Sequence, residues 1–152
     1  PLLYGDDRER HARVYRNFDW LVGHGQSPSG LYFGIVRQDG TSIGDGFEHP
    51  GTRHWHLSRK SSDGLYFIAR QLMLMRERGL REPDPRWTAS ARRCADALAD
   101  IWRRSGQWGQ MQDDRTGDVV VGGSTSASMA PGALAVMSVL LEEPSYLDVA
   151  CE

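Results

Sequence analysis

Two stretches of this chain are apolar on almost every face of a helix. In the first, Leu65, Phe67, Ile68, Leu72, Met73, Leu74 and Met75 predict a helix from about Asp63 to Arg78, stopped near Gly79. In the second, Ala130, Ala133, Leu134, Val136, Met137, Val139 and Leu140 predict a helix from about Met129 to Leu141, with Pro131 in its first turn. A helix without a polar face needs protein around it. Two other segments are one-sided. Val14, Phe18, Leu21 and Val22 make a stripe on a helix from about Asp6 to Val22. Trp87, Ala91, Cys94, Ala95, Leu98, Ile101 and Trp102 repeat at three and four residues from about Arg86 to Ser105. Tyr146 begins a further helix.

Long loops lead into both apolar helices. The first holds Gly30 to Val36, which suits a short strand, and the turn signals Asp39-Gly40 and Gly44-Asp45-Gly46. The second runs from Gly106 to Ser128, with Val119 to Val121 as a short strand. The order is thus amphipathic helix, long loop, apolar helix, short link, and then the same again. Gly30-Leu-Tyr-Phe-Gly34 corresponds to Gly106-Gln-Trp-Gly-Gln110, which is an internal repeat of pattern. Alternating solvent-facing and enclosed helices imply two concentric layers. The expected class is all-α, with short β-hairpins in the loops, as one domain over 1–152. An irregular helical domain that alternates by accident is the rival.

A formal charge of −2, with a single lysine at Lys60 and no basic run, argues against nucleic acid as a partner. No apolar run is long enough to span a membrane. Cys94 and Cys151 are too few for a disulfide framework, and Cys94 falls on an apolar helix face as a buried thiol. The chain starts on Pro1 and ends within a helical pattern, so both ends are expected to be cut, and compartment is open.

This order resembles part of an (α/α)6 toroid, the six-hairpin fold of many glycosidases and polysaccharide lyases. About two hairpins are present, roughly a third of such a barrel. A narrower resemblance lies in Asp63-Gly64-Leu65-Tyr66. Unsaturated rhamnogalacturonyl hydrolases, and more loosely unsaturated glucuronyl hydrolases, carry Asp-Gly-Leu-Tyr-Met at the start of an inner helix. That resemblance implies a catalytic acid and base role for Asp63. The chain departs from the family pattern at Ser61, Phe67 and Arg70, which puts the substrate in question. Another toroid enzyme, such as a sugar epimerase or a terpenoid-type cyclase, is a further reading; the Asp-rich helix motifs of a cyclase are not evident.

Asp63 also reads as a helix cap, since Ser61, Ser62 and Asp63 all suit an N-terminus. Glycoside hydrolysis usually needs two carboxyl groups, and Asp45 and Glu48 are the candidate partners, although Asp beside Gly also suits a turn. Asp113 and Asp114 precede Arg115-Thr116-Gly117 and read as a hairpin turn. His54-Trp55-His56, if extended, places both imidazoles on one side. No metal motif has the required spacing, and no cofactor is called for. His54, His56, Trp55, Arg59, Trp108 and Gln110 are the candidate groups for holding a saccharide, with Arg59 suited to an acidic one. For Trp108 the alternative is a ring that pins its loop to the helices.

The expected function is hydrolysis, or less readily elimination, at acidic or unsaturated oligosaccharides, with Asp63 as the proton-transfer group. The alternative is a non-catalytic helical repeat module that binds a glycan or protein through its loop face. An enzyme should hold Asp63 in a cleft with a second carboxylate. A binding module should leave it exposed and bonded only to backbone N–H. The enclosed helices imply a further partner, either the remainder of the barrel or another chain.

Overall fold

The computed structural model describes residues 8–43, 51–79 and 82–152. Among these residues the chain forms five helices and five short strands. Helix α1 spans Arg8–His24, α2 Ser58–Glu77, α3 Pro85–Ser105, α4 Ala130–Leu141 and α5 Pro144–Cys151. Strands β1 (Ile35–Val36) and β2 (Ser42–Ile43) form one small antiparallel ribbon. Strands β3 (Trp55–Leu57), β4 (Met111–Asp113) and β5 (Val119–Val121) form a three-stranded antiparallel sheet in the order β3-β4-β5. The all-α expectation with short strands in the loops therefore describes the molecule at the level of helices and small sheets.

Helix α3 follows elementary rules at both ends. Asp84 caps it by accepting from Arg86 N–H at 2.9 Å, Pro85 occupies its first position, and Gly106 closes it with φ 64°. Its apolar stripe, with Trp87, Cys94, Leu98 and Ile101, is buried. Helices α2 and α4 are each other's most extensive neighbours among the elements that are distant in sequence; α3 packs on both, and α1 and α5 pack on α3. The core gathers Leu65, Ile68, Leu72 and Met75 of α2 with Ala133, Leu134 and Met137 of α4. Burying a side chain the size of Leu or Met is worth about 1.5–3 kcal/mol, and the α2–α4 seam shares one continuous core with Trp87, Leu98 and Ile101 of α3.

Neither apolar helix is wholly enclosed within the chain. Phe67 on α2 is 67% exposed and Val139 on α4 is 66% exposed. A shallow groove of about 390 Å³ between α1 and α2 is lined by Val14, Phe18, Leu21, Phe67 and Ile68.

The start of α2 differs most from expectation. The helix begins at Ser58, five residues before Asp63, directly out of β3. Its cap position is Leu57, which makes no side-chain cap bond. Partners outside the helix set this start. Ser58 Oγ donates to Gly109 O at 2.7 Å. Ser61 Oγ accepts from Tyr32 N–H at 3.0 Å and lies 3.2 Å from Tyr32 O. Buried serines thus anchor the first turns of α2 to both loops, a tertiary effect that outweighs local propensity. The Gly30–Val36 strand is also shorter than expected: only Ile35–Val36 is a strand, and Tyr32 makes an isolated bridge with Gln26.

Candidate functional site

The two long loops meet in one ladder. Strand β3 comes from the loop before α2, and β4 from the loop before α4. Their register pairs Trp55 with Asp113, His56 with Gln112 and Leu57 with Met111. One step further, Asp114 N–H donates to His54 O at 2.8 Å. Side chains alternate along a strand, and directly opposed residues share a face. His54, His56, Gln112 and Asp114 therefore occupy one face, and Trp55, Leu57, Met111 and Asp113 the other. The expectation that both imidazoles share a side holds.

The histidine face is built of polar pairs. His54 Nδ1 lies 3.1 Å from Asp114 Oδ1, and His56 Nε2 lies 3.3 Å from Gln112 Oε1. Ser61 Oγ is 3.4 Å from His56 Nε2. Gln112 Nε2 donates to Trp108 O at 3.0 Å, and Trp108 Nε1 donates to Leu98 O at 2.8 Å. His56, Gln112 and Ser61 are fully buried. This chain of bonds ties β3, β4, α2 and α3 together, and buried polar groups are costly unless satisfied in this way. Gly109 makes the approach of β5 possible. It has φ 65°, and a Cβ there would collide with Val119 Cγ1 and come within 2.6 Å of Val121 O.

The adjacent aspartates differ. Asp113 accepts from Arg115 Nε at 3.1 Å, Arg115 Nη2 at 2.7 Å and Arg115 N–H at 2.9 Å. The Arg115 guanidinium holds its carboxyl down at about 2. The Asp114 side chain is 6% exposed, and burial raises its carboxyl above the ordinary value, partly offset by the bond from His54. The backbone carbonyl of Asp114 accepts from Ser29 N–H at 3.3 Å and Ser29 Oγ at 2.9 Å. The hairpin-turn reading holds for the pair: Asp113 ends β4 and Asp114 opens the turn toward β5, and the Asp114 side chain lies on the histidine face.

The other candidate residues are spread. Asp63 lies in the second turn of α2, with its side chain 34% exposed and its Oδ2 3.5 Å from Arg59 Nε. It is not a helix cap, because α2 starts before it. It also does not rest on backbone N–H groups alone. Arg59 is exposed on the same helix. Trp55 is half-buried opposite Asp113. Gln110 is exposed, and its carbonyl accepts from Ser58 N–H at 3.1 Å. Trp108 is 8% exposed, and its ring lies 4.3 Å from that of Trp102. Its packing matches a loop-pinning ring better than an open stacking platform. Asp45 and Glu48 lie outside the described residues.

The sequence alone reaches Asp114 only as half of a turn pair and does not single out Gln112 or Ser58. Gln112-x-Asp114 has the same spacing as His54-x-His56, and the register of β3 against β4 is what makes the two polar pairs face each other. No protein-family model matches the chain, and no curated protein does so either. Among the described residues no group of three or more His, Cys, Asp or Glu side chains is placed to hold a metal ion. No described helix is long and apolar enough to cross a membrane.

Proposed function

We propose that this chain is part of a carbohydrate-active enzyme of the (α/α)6-toroid type, acting on acidic or unsaturated oligosaccharides at the N-terminal end of α2. The observation that carries this reading is the β3–β4 ladder, in which loops from two successive helical hairpins join above neighbouring apolar helices. Two features support the layered arrangement: α2 and α4 lie against each other, and α1 and α5 pack on α3. The exposed Phe67 and Val139 support a further partner on the apolar helices, either more of the barrel or another chain.

In this reading Asp63 is the proton-transfer group. Its side chain reaches solvent near the start of α2, and Arg59 beside it suits the carboxylate of an acidic sugar. The ladder supplies imidazole and amide groups that hold the saccharide loops in place. One observation favours a non-catalytic glycan- or protein-binding module instead: the Asp63 carboxylate already has a cationic partner in Arg59.

The test is turnover of unsaturated uronyl oligosaccharides by the full-length protein. Asp63→Asn should lower kcat by about 10²-fold or more. Normal turnover by that variant removes Asp63 from the role. Saccharide binding without turnover by the wild type selects the binding module.

A further inference from the structure

We propose that His54 is a second proton-transfer residue, positioned by Asp114, and that Arg53 covers its outer nitrogen until the carboxylate of an acidic saccharide draws the guanidinium away. The proposal rests on the saccharide reading above and adds an acid–base group on the ladder to Asp63 on α2.

The argument begins with the two ring nitrogens. Nδ1 lies 3.1 Å from the Asp114 carboxylate, which accepts, so Nδ1 carries the proton. Arg53 Nε–H donates to Nε2 at 3.0 Å, so Nε2 is the acceptor. This assignment follows from the partners, and it is the tautomer of an imidazole ready to take a proton at its outer nitrogen. The backbone that carries the orienting carboxylate is held on both sides. Asp114 N–H donates to His54 O, just before β3, and the Asp114 carbonyl takes two bonds from Ser29. Its side chain is buried, whereas the His54 side chain is 32% exposed. An enclosed carboxylate behind a half-open imidazole is the arrangement in which a base is oriented by a third group.

Among the described residues, the other charged or titratable groups near Asp114 are Asp113, Arg115 and His56. Arg115 is engaged by Asp113, and His56 lies on the same face bonded toward Gln112. Arg53 is exposed, and its Nε–H is bonded to His54. At rest it competes with a proton for Nε2. A sugar carboxylate is a stronger partner for guanidinium than a neutral imidazole. Binding of an acidic substrate therefore uncovers the base.

The proton step balances simply. A water gives its proton to Nε2 as its oxygen bonds the reacting carbon, and the bond from that carbon to the leaving sugar oxygen breaks with its electron pair on that oxygen, which takes up a proton from solvent. The resulting imidazolium faces the Asp114 carboxylate. Loss of its proton to solvent regenerates the neutral ring.

Steady-state kinetics of the full-length protein on an unsaturated uronyl oligosaccharide test this. His54→Gln should lower kcat by about 10²–10⁴-fold and remove the acid limb of the kcat/KM profile. Asp114→Asn should lower kcat and displace that limb, which a purely structural role would not do. Arg53→Gln, at an exposed position, should raise KM about tenfold with a smaller change in kcat. A folded His54→Gln that keeps wild-type kcat and the acid limb overturns the proposal and leaves the saccharide reading standing. If His54→Gln does not fold, an unchanged KM in Arg53→Gln overturns it. A wild type inert on every uronyl substrate defeats the reading and the proposal together.

Discussion

Each face of the β3–β4 ladder carries one aspartate, and the two aspartates have opposite surroundings. On one face Asp113 meets Arg115, and its carboxyl is held down by that cation. On the other, Asp114 is buried behind His54, and its carboxyl is pushed up. The residues are neighbours in sequence. What separates them is the alternation of the strand, which sends one side chain to an ion pair at the turn and the next beneath a histidine. Environments that drive two carboxyls apart in this way distinguish a structural group from one with chemical potential. The closed face also holds the fully buried His56 and Gln112, whereas the other face holds half-buried Trp55 and Met111 beside Asp113, which is buried as well.

The largest expected effect is on the foundation of the closed face. Trp108 supports Gln112 through its carbonyl and α3 through its ring nitrogen. Trp108→Ala should destabilise the chain by about 3–5 kcal/mol, measured by denaturant unfolding. A loss well below that range would mean that Trp108 does not pin the second loop. Next comes His56→Leu, which takes the ring nitrogen away from the buried Gln112 Oε1, while Gln112 Nε2 keeps Trp108 O and Ser61 keeps the Tyr32 backbone. The substitution should cost about 1–3 kcal/mol. A neutral result in thermal melts would detach the closed face from stability.

The pH dependence of the two aspartates sharpens the contrast. The folded-state value of Asp113 is depressed, so its contribution is present above the ordinary carboxyl value of about 4 and is lost as pH falls toward about 2. Asp113→Asn should therefore be less stable than the wild type near neutral pH, and the difference should close in acid. Asp114 is raised, so the sign reverses: its stabilising contribution is complete in acid and is lost as pH rises through its folded value. The stability of Asp114→Asn relative to wild type should improve as pH rises. Parallel slopes in the two variants would erase the distinction. The smallest effect belongs to Gln110→Ala, whose exposed side chain should matter by less than about 0.5 kcal/mol.

Much of the helical framework was legible in the sequence, because apolar periodicity and end signals act locally. Helix α3 falls within a residue of the expected limits, and α4 begins one residue later than expected. The start of α2 was hidden because Ser58, Ser61 and Ser62 read as a polar lead. Their burial depends on Gly109 and Tyr32, which are distant in sequence. The shared side of His54 and His56 was legible from period two alone. Asp114 was not, because its face depends on the register of β4 against a strand more than fifty residues earlier. Trp108 was ambiguous for a similar reason: only the position of Trp102 and Leu98 decides whether its ring is covered.

The most direct test of the central claim is a comparison of kcat for Asp114→Asn and Asp113→Asn in the full-length protein, on an unsaturated uronyl oligosaccharide and at a temperature where both are folded. The account predicts that Asp114→Asn loses activity by about 10²-fold or more, while Asp113→Asn stays within a few-fold of wild type. Equal losses, or a greater loss at Asp113, would contradict the assignment of the chemistry to the buried face.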